Sequence, residues 1–213
     1  MKIGSTYKTN SSGIVEVVSY KNNNEVLVRF IDTGYETTTQ KIHIVNGRVK
    51  DKMLPTIYGV AFMGDGEFKT SENGKVTKCY SIWKAMIQRC YRVESRSYKS
   101  YGGSGVTVCD EWLNYQNFAE WFHINYREGL HLDKDIKIDG NKIYSPISCK
   151  FVTPAENTEK ASAKKFRMKS PEGSLVEIYN MSKFCKENGL CNKNMCAVHS
   201  GKIKRYKSWE AWD

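Results

Sequence analysis

The chain has 213 residues, 40% of them hydrophobic and 12% aromatic, which can bury a core and excludes a wholly disordered protein. No apolar run approaches the roughly 20 residues of a membrane helix, and the N-terminal residues lack the apolar segment of a signal peptide, so we expect a cytoplasmic protein without membrane contact. The net charge of +10 favours a polyanionic partner, because phosphate contacts release condensed counterions, although a surplus that only confers solubility is the alternative.

The first 60 residues predict a β-rich module. Two β-branched runs, at 13–20 and 25–31, flank an Asn-rich turn and indicate a hairpin. After a turn at 32–35, residues 37–44 predict a third strand. Short strands at this spacing are typical of a small SH3-like β-barrel, which often serves as a binding module without the fold fixing the ligand.

The second zone, residues 61–163, predicts a mixed α and β domain. Apolar side chains recur at helical spacing over 80–91, on one of two faces: Ile82, Met86 and Tyr91, or Trp83, Ile87 and Cys90. After a Tyr/Ser/Gly loop at 97–105, residues 106–109 predict a short strand. Asp110 can then cap a helix that carries Trp112, Phe118, Trp121 and Phe122.

The third zone, residues 164–213, predicts a compact basic module. Residues 158–213 hold 12 Lys and Arg but 6 Asp and Glu, so +6 of the net +10 lies in this part of the chain. Two strands at 166–168 and 175–179 flank a turn, and two helices at 182–188 and 192–199 flank Gly189. This is a helix-turn-helix pattern whose second helix is rich in Asn and Lys, groups suited to base edges and phosphates.

The polar stretch at 129–157 is the segment most suited to chemistry. It predicts a strand, an Asp-Gly-Asn turn, a second strand at 149–152 and a helix opened by Pro154. Asp133 and Asp135 would lie near the end of the first strand, and Asn157 on the helix. Carboxylate and amide oxygens of this kind bind Mg²⁺, which stabilises a leaving 3′-oxygen while a general base activates water. The alternative is a plain turn with surface ion pairs to neighbouring lysines.

The run from Asp139 to Lys142 and the run from Phe151 to Asn157 resemble the second half of the HNH (ββα-metal) motif of phage and intron homing endonucleases. Blocks at 80–91, 106–122 and 132–157 are similar to a widespread group of phage proteins. The last zone is similar to the helix-turn-helix tails of such nucleases at Asn180, Phe184, Cys185, Glu187, Leu190, Val198, Gly201, Lys202 and Trp209. The resemblance implies an α+β, Mg²⁺-dependent DNA endonuclease of a phage, acting in a bacterial cytoplasm, with Asp133, Asp135 and Asn157 as metal ligands.

Two departures from that family concern the general base. Asp133-Lys134-Asp135 occupies the place of the usual histidine, and Ser148 aligns with the asparagine that orients it. His131, two residues before Asp133, and Lys134, if burial favoured its neutral amine, are the substitutes. The candidate catalytic residues are therefore Asp133, Lys134, Asp135, His131 and Asn141. The alternative function is that of a DNA-binding regulator that no longer cuts. A third hypothesis is that the barrel has an inhibitory or docking role.

The expected partner is double-stranded DNA, without a small-molecule cofactor. The predicted DNA-binding residues are Arg89, Arg92, Arg96, Lys99, Lys164, Lys165, Lys193, Asn194, Lys202, Lys204, Arg205 and Lys207. The seven cysteines lack tightly paired knuckles, so we expect buried thiols rather than structural zinc. We also expect the five tryptophans in the core rather than stacked on bases.

Overall fold

The N-terminal segment folds because its β-branched residues alternate between two faces of a sheet. In the computed structural model, which describes residues 1–135, 138, 140–156 and 165–212, four antiparallel strands lie in the order β1-β2-β3-β4. They are β1 (Thr6–Lys8), β2 (Ile14–Asn22), β3 (Glu25–Phe30) and β4 (Glu36–Thr39). Val15, Val17, Val26, Val28 and Phe30 are fully buried on the inner face.

Two expectations for this segment were wrong. Within residues 1–60, all of which are described, β1 and β4 are the two edges and do not pair, so the sheet is open rather than a closed barrel. The predicted third strand ends at Thr39, and a short helix, α1 (Lys41–Val45), replaces its second half. In α1 only Ile44 is buried, against the sheet, because a helical turn places Ile42 and Val45 towards solvent.

The central segment is built around aromatic side chains. A small hairpin, β5 (Ser71–Glu72) and β6 (Lys75–Val76), precedes α2 (Lys78–Tyr91), whose N-terminus is capped by the Thr77 hydroxyl. Trp83, Ile87 and Cys90 form the buried face together with Met86, so the second of the two predicted faces points inward. The Tyr/Ser/Gly loop then forms two 3-10 turns, at Tyr98–Ser100 and Gly102–Ser104.

One predicted helix after this loop is in fact two. The strand β7 (Thr107–Val108) lies inside the predicted range and leads into α3 (Asp110–Leu113) and α4 (Tyr115–Asn125). Asp110 is the first helical residue rather than the cap, which is Cys109. The helix breaks at Asn114, whose backbone is extended and whose side-chain oxygen accepts the Gln116 N–H at 2.9 Å. Trp112, Phe118 and Phe122 are buried on these helices.

Three short strands frame the polar stretch. They are β8 (His131–Asp133), β9 (Ile143–Tyr144) and β10 (Lys150–Val152). β8 pairs antiparallel with β10, and β9 pairs parallel with β7, which joins the stretch to the aromatic core. Residues 154–156 are helical, as the proline predicts, and Asn157 lies outside the described residues.

The C-terminal segment follows the sequence prediction closely. The hairpin β11 (Lys165–Lys169) and β12 (Leu175–Tyr179) gains β13 (Glu210–Ala211) beside β11. Helices α5 (Met181–Glu187) and α6 (Asn192–His199) flank Gly189, whose φ of +61° is the left-handed conformation that ends a helix. Met168, Ile178, Met181, Cys185, Met195, Val198 and Trp209 form their shared core.

Several cysteines and tryptophans are buried, as the sequence predicted for all of them. Cys79, Cys90, Cys149 and Cys185 are buried, whereas Cys191 is exposed. Trp83, Trp112 and Trp209 are core residues, whereas Trp212 is 42% exposed and belongs to no core. In the part of the chain that the structure describes, we find no helix of the length and apolarity that crossing a membrane requires.

Candidate active site

The end of β8 carries the first two candidate residues. Asp133 lies opposite Lys150 of β10, and His131 opposite Val152. Side chains alternate along a strand, and Leu132 packs against the central core. His131 and Asp133 therefore share the other face, two residues apart, with His131 exposed and Asp133 half-buried.

Directly after β8, three consecutive side chains form one polar network. The Asp135 backbone N–H donates to Asp133 Oδ1 at 2.8 Å, so the first carboxylate fixes the turn. Lys134 Nζ donates to Asp135 Oδ1 at 2.6 Å and to the Asn141 carbonyl at 2.8 Å. The Lys134 side chain is only 11% exposed, so its ammonium is held inside this loop rather than in solvent.

Asn141 closes the same loop from its other end. Its Nδ2 donates to the Lys134 carbonyl at 2.9 Å and to the Ile143 carbonyl at 2.6 Å, and its Oδ1 accepts the Ile143 N–H at 3.2 Å. The nitrogen and the oxygen of the Asn141 side-chain amide are thus both hydrogen-bonded to backbone atoms. Asn141, one of the candidate catalytic residues, therefore binds the backbone of the loop that carries Lys134.

A second cation, Arg89 at the end of α2, lies between two aromatic rings. Its guanidinium carbon is 5.0 Å from the centre of the Tyr101 ring and 5.4 Å from that of Tyr144. Arg89 Nε is buried and has no hydrogen-bond partner among the residues that the structure describes. A buried N–H of this kind calls for an acceptor, such as an oxygen of a bound anion.

Tyr144 is a residue that the sequence did not single out. The parallel pairing of β9 with β7 brings it beside Arg89, where it is 2% exposed. Burial raises the pKa of the Tyr144 hydroxyl, and the Arg89 charge opposes this rise. The signal that could have found it is the apolar pair Ile143-Tyr144 between the polar turn and Ser145-Pro146. This pair forms a short strand in which Ile143 is exposed and Tyr144 is buried.

Two buried thiols show that the network and Arg89 border the same core. Burial raises the pKa of Cys90 to about 11, while the positive charges of Arg89 and Lys134 act to lower it. Burial also raises the pKa of Cys149 to about 11, and the Asp133 carboxylate is among the charges that raise it further. Arg89, Lys134 and the Asp133 carboxylate therefore all lie close enough to these buried thiols to affect their pKa values.

Ser148 serves the turn rather than a histidine. Its hydroxyl donates to the Ile143 carbonyl at 2.7 Å and lies 2.8 Å from the Ser145 hydroxyl. The residue is 3% exposed, so this hydroxyl is committed to the loop between β9 and β10.

The donor atoms at the end of β8 suit a hard cation in part. Carboxylate oxygens are what Mg²⁺ prefers, and Asp133 and Asp135 supply them from positions two residues apart. Lys134 competes for Asp135, and Asn157, the third predicted ligand, lies outside the described residues. Among the described residues no group of three or more His, Cys, Asp or Glu side chains is placed to hold a metal ion.

The other predicted DNA contacts of the central segment lie on the loop that follows α2. Arg96 and Lys99 are exposed there. Arg92 forms an ion pair with Glu94 at 3.7 Å, and its guanidinium also lies 5.9 Å from the Tyr58 ring centre. This loop supplies Tyr101 to Arg89, so the exposed cations and the stacked arginine are parts of one structural unit.

The C-terminal predicted contacts form a second group. Lys193 and Asn194 lie in the first turn of α6, with Lys193 exposed, and Lys202 and Lys204 are exposed beyond its end. Three other cations there have intramolecular contacts: Arg205 with Glu210 at 3.3 Å, Lys207 with the Gly189 carbonyl at 3.1 Å, and Lys165 with the Tyr179 ring at 5.3 Å. Lys164 lies outside the described residues.

Comparisons with known proteins give little more. No family model matches the chain, and no curated protein matches it. A solved structure that resembles it is "DNA binding and cleavage by the HNH homing endonuclease I-HmuI", at 15% sequence identity over 96% of this chain and 84% of that chain. The TM-score of this match is 0.23.

Proposed function

We propose that this protein is a DNA endonuclease that hydrolyses or nicks phosphodiester bonds of double-stranded DNA with the help of Mg²⁺. The observation that carries the proposal is the polar network of Asp133, Lys134 and Asp135 at the end of β8. Arg89 borders the same core, lies over an aromatic ring and has a buried Nε with no hydrogen-bond partner among the described residues. The net charge of +10 supports a polyanionic substrate, and the sequence resemblance to HNH nucleases supports the reaction.

The two cations have distinct parts in this proposal. Arg89 offers a fixed guanidinium between two rings, a geometry suited to the oxygens of a phosphate. Lys134 is held by Asp135 and the Asn141 carbonyl, so its charge stays in place without losing side-chain freedom on substrate binding. Both would offset negative charge that develops on the phosphodiester in the transition state.

His131 is the base that the geometry favours. The chain has four histidines, all of which are described. His43 lies in α1, His123 stacks on Phe68 at 5.0 Å, and His199 packs on Phe166 at 5.0 Å. That leaves His131, on the same strand face as Asp133, to accept a proton from the attacking water.

Asp133, Asp135 and Asn157 would hold the divalent ion. When bound there, the ion would supply Lewis-acid stabilisation of the leaving 3′-oxygen. Asp133 would then orient both the turn and the ion, because its Oδ1 already accepts the Asp135 N–H. Lys134 would have to share Asp135 with the ion, which predicts weak metal binding until the phosphate arrives.

Cleavage of supercoiled plasmid and of phage genomic DNA with Mg²⁺ tests the proposal. We expect nicked or linear product with the native chain, and loss of at least about a hundredfold in rate in Asp133→Asn and His131→Gln, the range of one catalytic group. The matched controls are Asp32→Asn and His43→Gln, at exposed positions of the N-terminal segment. These two variants should cut DNA at the native rate. No cleavage by the native chain, or equal cleavage by all four variants, would refute it.

A second function is favoured by one specific contact. The Lys134 ammonium lies 2.6 Å from Asp135, where it could replace a metal ion and leave a nuclease scaffold that only binds DNA. This regulator would bind duplex DNA with a steep salt dependence and without Mg²⁺. Binding that survives Asp133→Asn, with no cleavage at any Mg²⁺ concentration, would favour the regulator over the nuclease.

A further inference from the structure

A cleft between the N-terminal sheet and the central segment is lined by basic residues. Its volume is about 720 Å³, and its walls include the edge strand β4 with Thr37, Thr38 and Thr39. The cations on its walls are Arg48, Lys50, Lys52 and Lys69. Among the described residues that line the cleft there is no Asp or Glu, so its surface is strongly positive.

Three of these cations lie on one segment of the chain, and each is exposed because the residues between them are buried. Along residues 48–52 burial alternates: Arg48, Lys50 and Lys52 are exposed, whereas Val49 and Asp51 are buried. Val49 packs in the N-terminal core. An extended chain advances about 3.3 Å per residue, so the three cations form a row that spans at most about 13 Å.

The carboxylate inside this row does not neutralise it. Asp51 is 7% exposed, and its oxygens accept the Thr33 hydroxyl at 2.5 Å and the Met53 N–H at 2.8 Å. It is therefore turned inward and already satisfied. Lys52 pairs with Asp65 at 2.6 Å, while Arg48, Lys50 and Lys69 form no ion pair with any described carboxylate.

Both ends of the row are fixed to other parts of the molecule. At its start the Asn10 N–H donates to the Gly47 carbonyl at 2.8 Å, and at its end the Gly64 N–H donates to the Lys52 carbonyl at 2.9 Å. The backbone that carries the cations therefore does not have to be ordered by the ligand, which lowers the entropic cost of binding.

The opposite wall is equally fixed. Gln116, at the start of α4, accepts the Phe68 N–H at 2.9 Å and donates to the Phe68 carbonyl at 3.1 Å. The Lys69 carbonyl accepts the Tyr115 hydroxyl at 3.0 Å, so the backbone that carries Lys69 is anchored in the central core. Gly66 leaves no room for a side chain against Gln116, which keeps this wall close to α4.

We infer that this cleft is a second nucleic-acid site, which binds the phosphodiester backbone of duplex DNA apart from the candidate active site. A row of cations beside threonine hydroxyls suits phosphates, and duplex DNA presents one per about 3.4 Å of axis on each strand. The N-terminal sheet is then a backbone-binding module of the nuclease. This inference rests on the proposed function in that DNA is the ligand.

The test compares two triple variants of the full chain. Arg48→Gln, Lys50→Gln and Lys69→Gln together remove three cleft charges. Lys2→Gln, Lys8→Gln and Lys21→Gln together remove three exposed charges outside the cleft lining, with Lys8 on β1 at the opposite edge of the sheet. Fluorescence anisotropy with a labelled duplex, across a range of KCl concentrations, measures the slope of log affinity against log salt.

We expect the cleft variant to lose about 2 to 3 units of this slope and the control variant less than about 1, since each phosphate contact contributes about 0.9. Equal slopes in the two variants would overturn the inference. Slope loss in the cleft variant without DNA cleavage by the native chain would leave the cleft standing and refute the nuclease. Absence of duplex binding by the native chain at low salt would refute both.

Acetylation of lysines in the native chain provides a measurement that does not depend on a variant folding. We expect added duplex DNA to slow acetylation of Lys50 and Lys69 severalfold while Lys2 and Lys8 react as before. Protection by polyglutamate but not by DNA would overturn the nucleic-acid assignment in favour of an acidic protein segment, and protection of all four lysines alike would overturn a localised site.

Discussion

The aromatic core of the central segment and the polar loop beside it are neighbours held by different forces. Around Trp83, the rings of Tyr80, Tyr115 and Trp112 fill the interior, and each position is fixed by many contacts. The loop after β8 is held by hydrogen bonds and by the Lys134–Asp135 ion pair. Damage to the core should therefore appear as lost stability, and damage to the loop as lost activity.

The largest effect is expected from Trp83→Ala. The side chain is fully buried and its Nε1 donates to the Trp112 carbonyl at 2.7 Å, so the substitution leaves a large cavity and an unpaired carbonyl. We expect the free energy of unfolding to fall by about 3–5 kcal/mol, measured by urea denaturation. Trp212→Ala, at an exposed position, should change it by less than about 0.5 kcal/mol. Similar losses in both variants would contradict the assignment of the core.

Gly102→Ala tests the junction between core and site. A Cβ at this position would meet the Cys90 carbonyl oxygen and the Tyr98 ring, so the loop that carries Tyr101 would have to move away from Arg89. We expect a loss of about 1–3 kcal/mol in the free energy of unfolding, measured in urea, together with weaker DNA binding. Ser100→Ala, exposed in the same loop, is the control and should leave both unchanged; a silent Gly102→Ala would show that the loop is not tightly packed.

The sequence predicted elements well where periodicity was strong. Helix α2, the N-terminal hairpin and both C-terminal helices lie at the expected places, because their apolar spacing or turn residues are unambiguous. It failed where a single polar side chain decides a boundary, as at Asn114, and where closure of a sheet depends on contacts between its edges. Both depend on three-dimensional context that a pattern does not contain.

For the candidate site, the sequence indicated residues that the structure brings together, but it did not indicate their pairings. Asp133, Lys134, Asp135 and Asn141 are adjacent as expected, yet nothing in their order shows that the ammonium would turn to Asp135 and the Asn141 carbonyl. Tyr144 was missed because its contact with Arg89 depends on the parallel pairing of β9 with β7. The basic cleft was missed although the sequence places a cation at every second position over residues 48–52, which favours an exposed row of charges.

A double-mutant cycle on Lys134→Met and Asp135→Asn measures how strongly the loop depends on its ion pair. Lys134 is 11% exposed and Asp135 39%, so we expect a coupling energy of about 1–2 kcal/mol from urea denaturation of the four proteins. The matched cycle on Lys21→Met and Glu25→Gln, with side chains 72% and 50% exposed, should give less than about 0.5 kcal/mol. Equal coupling in both cycles would show that the Lys134 pair is an ordinary surface contact.

The last effect appears only at alkaline pH and is expected from the thiol that borders both regions. Burial raises the pKa of Cys149 from 9.0 to about 11, so the unfolded chain loses this proton before the folded chain does. The resulting stability is complete well below pH 9 and is lost as the pH rises through 9 towards 11, by about 1.4 kcal/mol at pH 10. Cys149→Ala should therefore show a shallower alkaline fall in the free energy of unfolding than the native chain, whereas Cys191→Ala, at an exposed thiol, should show the native fall. Parallel alkaline curves for all three proteins would mean that Cys149 ionises equally in both states, and that the wall between core and polar loop admits water.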